Sequence, residues 1–120
     1  MVELEPGFGS VSNANFNTPW FKQTRLQSDF EQLLKNQPCE DDELLDILLN
    51  DQIAPATSLP ETGIPIETEV ALSALFVRMQ GYGTRASSLV RIRDKEIVFI
   101  ERGFNSHAKT HQSNHLIPRR

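Results

Sequence analysis

The sequence has a single cysteine, Cys39, among its 120 residues. An intramolecular disulfide is therefore excluded, and so is a metal or redox site built on paired thiols. Cys39 is also poorly placed as a nucleophile, because Glu40, Asp41, Asp42 and Glu43 follow it and their charge disfavours a thiolate. Long apolar runs are missing: none approaches the roughly 20 residues that a membrane span requires. The first residues, Met1-Val2-Glu3-Leu4-Glu5-Pro6-Gly7, carry neither the basic nor the apolar segment of a secretory signal. With 38% hydrophobic residues and a mean hydropathy of −0.38, the expectation is a soluble, cytoplasmic chain. Acidic residues are absent after Glu101 and aromatic ones after Phe104. The last sixteen residues then carry only Lys109, Arg119 and Arg120, too few cations for nucleic acid, with no ring to stack on a base.

Three segments carry helical or strand patterning, and prolines separate them. Residues 7–13 alternate small or polar residues with Phe8 and Val11 and predict a short first strand. From Trp20 to Lys35, Leu26, Phe30, Leu33 and Leu34 form one apolar stripe at helical spacing. The acidic run Glu40–Glu43 reads as the first turn of a second helix, since carboxylates there meet the positive end of the helix dipole. Leu44, Leu45, Ile47, Leu48 and Leu49 make that helix the more buried of the two. Pro55, Pro60 and Pro65 predict an ordered loop without regular structure over 52–66.

Three strands are then expected, at 71–79, 84–93 and 96–102, the last two joined by the Asp94-Lys95 turn. Ile97-Val98-Phe99-Ile100 is apolar without alternation, which argues for a central strand buried on both faces. The fold class is α+β, an antiparallel sheet of about four strands packed against two helices. One domain over 1–104 is expected, followed by a polar, basic and disordered tail at 105–120. The tail holds His107, His111 and His115 at spacings that would line one helix face, yet its composition favours a solvated segment over a metal site. The stretch Tyr82-Gly83-Thr84-Arg85-Ala86-Ser87-Ser88 combines a glycine turn with small hydroxyl residues and one arginine, leaving room for a ligand to approach.

An ordered set of motifs resembles the C-terminal half of the NRDE family, also called the transport-and-Golgi-organisation-2-like family. It begins with Ser12-Asn13-Ala14 and Asn17-Thr18-Pro19-Trp20-x-Lys22, then Asp41-Asp42-Glu43-Leu44-Leu45 and Ala54-Pro55. Leu59-Pro60-x-Thr62-Gly63, Leu72-Ser73-x-Leu75-Phe76-Val77, Tyr82-Gly83-Thr84-Arg85-x-Ser87 and Phe99-x-Glu101-Arg102-x-Phe104 complete it. Phe21 stands where the family often has proline, and the segment after Phe104 matches no part of the pattern.

The resemblance implies part of the αββα sandwich of N-terminal-nucleophile hydrolases, in which an exposed terminal residue attacks an amide carbonyl. Val2 has no nucleophilic atom, so the expectation is a chain inert by itself that supplies the supporting half of an amidohydrolase-like or ligand-binding site. By analogy, Asn13 would donate to an oxyanion and Arg85 would hold a substrate carboxylate or orient the nucleophile. No cofactor and no metal are implied. Animal members of the resembled family are linked to lipid and haem handling, so a non-enzymatic binding or trafficking module is the alternative. The expected partners are the missing amino-terminal half or a second copy meeting an exposed sheet, together with a small-molecule ligand.

Overall fold

The computed structural model describes residues 3, 5–11, 21–36, 38–55, 63–106 and 108–120. Among them the first helix, α1, spans Phe21–Lys35, close to its expected limits. Its stripe of Leu26, Phe30, Leu33 and Leu34 is half-buried, and Phe8 meets Phe30 edge to face at 6.1 Å. Helix α2 spans Asp41–Asp46 and continues as a 3-10 turn over Ile47–Leu49. Glu40 and Glu43 cap it reciprocally, the Glu40 N–H donating to Glu43 Oε2 at 3.4 Å. Leu44 and Leu45 are buried beneath it, with Leu45 only 1% exposed. The acidic run is a helix start, as the dipole argument requires.

Two expectations for the middle of the chain fail. A third helix, α3, spans Ile66–Leu72, where the prolines argued for irregular structure and then for a strand. Pro65 stands at its N-cap, a position where the missing N–H costs nothing, and Glu67 and Glu69 lie in the first turn. Lys22 Nζ of α1 donates to Leu72 O at 3.3 Å and ties the two helices together. Of the strand expected over 71–79, only Arg78–Met79 forms (β1), paired with Tyr82–Gly83 (β2). The strand expected over 7–13 is absent from residues 7–11, and its last two positions lie outside the described residues.

The main sheet has the order β3-β4-β5 and is antiparallel throughout. Strand β3 spans Ala86–Ile92 and β4 spans Glu96–Phe104, joined at the expected Asp94-Lys95 turn. The third strand, β5, spans Lys109–Pro118, so the disordered tail expected there is a ten-residue strand. It pairs with β4 from Glu96↔Pro118 to Phe104↔Lys109, with an irregularity at Gly103/Phe104. Its composition predicts no strand; the free edge of an apolar β4 supplies the partner. Arg119 closes the far end, its N–H donating to Lys95 O at 2.9 Å and its Nη1 to Arg93 O at 2.8 Å.

Register assigns the two faces. Ser87, Leu89 and Arg91 of β3 share the inner face with Val98, Ile100 and Arg102 of β4, and α2 packs there. Ile100 is 4% exposed. Phe104 closes this core against Phe76, their rings perpendicular and 4.8 Å apart. The outer face carries Val90, Ile92, Ile97, Phe99 and, from β5, Ile117. No helix covers it: Val90, Ile92 and Ile117 are 54%, 65% and 49% exposed. The fold is thus α+β, with three helices and sheets of three and two strands among the described residues. No helix among them is long and apolar enough to cross a membrane.

Candidate functional site

Arg85 stands between the small hairpin and the main sheet, and its backbone is fixed there. Its carbonyl accepts from the Phe104 N–H at 2.8 Å. Just before it, Thr84 locks onto Val77 twice: the Thr84 N–H donates to Val77 O at 3.0 Å, and Thr84 Oγ1 accepts from the Val77 N–H at 2.9 Å. The hairpin then turns through Gly81 at φ 75°. Gly83 passes so close to the Val77 carbonyl that a Cβ would stand 2.7 Å from the oxygen. Tyr82-Gly83-Thr84-Arg85 therefore forms a rigid hairpin base, and its sequence is dictated by backbone approach as much as by chemistry.

That base lines a groove of about 800 Å³ running from Phe76 to Arg85 and bounded on the other side by Asn105 and Ser106. The second wall is the β4–β5 turn, held by the Ala108 N–H donating to Asn105 Oδ1 at 2.9 Å and the Asn105 N–H to Ala108 O at 3.1 Å. Two guanidinium groups reach the groove, and they differ. Arg78 is engaged, with Nε 3.4 Å from Asp51 Oδ2 and Cζ 4.5 Å from the centroid of the Phe76 ring. Arg85 is exposed and its side chain makes no hydrogen bond or ion pair among the described residues.

The remaining candidates do not join it. Cys39 lines a different crevice, with Glu40, Asp41, Asp42, Arg91 and Arg93. Arg85 and Arg91 bracket opposite ends of β3, so six residues at about 3.3 Å each set the two sites roughly 20 Å apart. Asn13 lies outside the described residues, as does His107. His111 and His115 sit on the outer face of β5 rather than along a helix: His111 Nε2 is 3.9 Å from Glu101 Oε1, and the His115 ring lies 6.2 Å from that of Phe99. Among the described residues no group of three His, Cys, Asp or Glu side chains is placed to hold a metal ion.

One functional-looking cluster was not anticipated. Arg102, buried at 7% exposure, donates from Nη1 to Asp46 Oδ1 and from Nη2 to Asp42 Oδ1, both at 2.7 Å, and from Nε to Gln112 Oε1 at 3.0 Å. A single guanidinium thereby joins α2, β4 and β5. Burial by itself lowers its pKa, but the hydrogen bonds and charge of Asp46 and Asp42 more than offset that and leave the pKa raised. Because the shift is upward, the contribution to stability is complete below the ordinary value of 12.5 and fades only as pH climbs through the raised one. The clamp is therefore constant across neutral pH. Arg91 repeats the device at the other end of α2 by pairing with Asp41. The signal was present in the alternation Val98, Ile100, Arg102, which puts an arginine on an inward-facing position where only a paired one survives.

A family model described as Transport and Golgi organisation 2 matches residues 1–106. The chain belongs to that family. No curated protein and no solved structure matches it. With the geometry in view, the motifs that carried the resemblance meet in pairs. Asp42 meets Arg102, and Ala54 meets Ser73, whose Oγ accepts from the Ala54 N–H at 2.7 Å and donates to Val70 O at 2.6 Å. Thr84 meets Val77 in the same way. In this member of the Transport and Golgi organisation 2 family, most of the recognisable residues hold elements together, and Arg85 alone among the motif cations is left without a structural bond among the described residues.

Proposed function

We propose that this chain is a ligand-binding module, inert toward amides by itself, that holds the carboxylate of a small molecule in the groove beside Arg85. The observation that carries the reading is the contrast within the groove: Arg78 is pinned by Asp51 and Phe76, while Arg85 presents its fork of donors to solvent from a rigid base. A planar guanidinium in that state accepts a carboxylate in two parallel hydrogen bonds. Phe76, Met79 and Tyr82 line the same groove and suit an apolar or aromatic body on the ligand. The separation of Cys39 from Arg85 supports the inert part, because a thiol at the other end of β3 cannot attack a substrate held here.

The test is a thermal-shift and NMR titration with aromatic carboxylates and their neutral amides. The carboxylates are expected to bind and the amides to bind at least about tenfold more weakly. Arg85→Ala should abolish that preference. Equal binding by Arg85→Ala, or no preference for the charged compound, removes Arg85 from the site. Thiol-sensitive amide turnover by the purified chain would contradict the inert assignment.

A further inference from the structure

The outer face of the β3-β4-β5 sheet is nearly uncharged and two-thirds apolar at one end. Its rows are fixed by register: Val90, Phe99 and His115 in one, Ile92, Ile97 and Ile117 in the next. Beyond them follow Ser88, Glu101 and Ser113, then Ala86, Gly103 and His111. Glu101 is the sole formal charge in these four rows, and His111 stands beside it. The whole chain exposes 8899 Å². A compact monomer of 13.6 kDa would expose about 6,600 Å².

We infer that this face is the interface of a homodimer, a second copy of the chain stacking its own Val90–Ile92–Ile97–Phe99–Ile117 end on the first. Three considerations select a second copy. The excess of exposed surface is more than the roughly 800 Å² that each partner contributes to a standard interface. A face carrying one carboxylate, set beyond the apolar rows, meets its own image without opposing like charges across the contact, whereas it offers nothing to a charged partner. Branched and aromatic side chains standing on a twisted antiparallel sheet are also the surface that interdigitates with an aligned second sheet about 10 Å away. A two-fold axis lying between the sheets superimposes the apolar ends and leaves the Glu101–His111 ends outside the overlap. The helix-covered faces, and the Arg85 groove at the sheet's end, stay outward and accessible in such a dimer, so this inference does not depend on the ligand-binding reading.

The experiment is light scattering with sedimentation on the intact chain over a dilution series. Wild type should show twice the 13.6 kDa chain mass at high concentration and dissociate reversibly. The double variant Val90→Lys, Ile92→Lys should raise the dissociation constant at least about thirtyfold. Both positions are solvent-exposed within one chain, so the fold should survive, as checked by the thermal melt. Ile117→Lys on β5 provides a second variant on a different strand and should act in the same direction. A wild-type chain that stays single at every concentration overturns the inference. So does a dimer that persists unchanged in both variants, which would place the contact elsewhere, such as the free edge of β5.

Discussion

The two faces of the β3-β4-β5 sheet use the same kinds of side chain to opposite ends. On the inner face, apolar residues are covered and the polar ones are bound: Ile100 is buried, and Arg102 spends its donors on Asp42, Asp46 and Gln112. On the outer face, Val90, Ile92 and Ile117 have comparable hydrophobicity and no cover. Strand alternation alone does not distinguish the faces, since β4 is apolar at four consecutive positions. What separates them is where arginine falls. Arg91 and Arg102 both point inward, where α2 brings Asp41, Asp42 and Asp46, and the ion pairs decide which face the helix takes. A pair whose carboxylates are mostly exposed adds modest stability but strong orientation.

The contrast breaks most severely at the inner core. Phe104→Ala removes the ring stacked on Phe76 and is expected to cost about 3–4 kcal/mol in chemical denaturation. Next comes Arg102→Met, which keeps the side-chain volume but releases α2 from the sheet. A loss of about 2 kcal/mol is expected, and Arg102→Lys should recover little of it because an ammonium cannot fork between two carboxylates. Asp42→Asn and Asp46→Asn, at positions 67% and 60% exposed, should each cost less, roughly 0.5–1 kcal/mol. Gly83→Ala sharpens the comparison at the groove. Its Cβ would press on the Val77 carbonyl at 2.7 Å, so a cost of about 1–2 kcal/mol and weaker carboxylate binding are expected together. The smallest effect belongs to the outer face: Val90→Thr, measured in dilute solution, should change stability by less than about 0.5 kcal/mol. A cost above about 1 kcal/mol there would mean the face is already covered within one chain.

Where local pattern and tertiary partner agree, the sequence was readable. Helix α1, the acidic start of α2 and the β3–β4 hairpin with its Asp94-Lys95 turn fall where spacing and capping put them. The central position of β4 was also legible from Ile97–Ile100, but its neighbours were assigned wrongly. The segment 71–79 was expected to flank it, whereas β5 does, because strand pairing depends on an available edge and not on the apolarity of the strand that fills it. Thr110–Ile117 contains no Lys, Glu or Asp and is able to pair, which was the signal passed over. Helix α3 was missed because Pro65 was weighed as a breaker rather than as a starter ahead of Glu67 and Glu69. Of the two proposed site residues, Arg85 proves to be exposed in a groove, while Asn13 lies outside the described residues. Arg102 was quoted only as part of a motif; its role needed the register that places it opposite Gln112 and beneath α2.

The asymmetry of the sheet is open to direct observation by methyl NMR on a dilution series of the wild-type chain. Resonances of Val90, Ile92, Ile97 and Ile117 are expected to move with concentration while those of Leu45, Leu89 and Ile100 stay fixed. Shifts shared equally by both sets, or confined to the methyls beneath α2, would contradict a locked inner face and an open outer one.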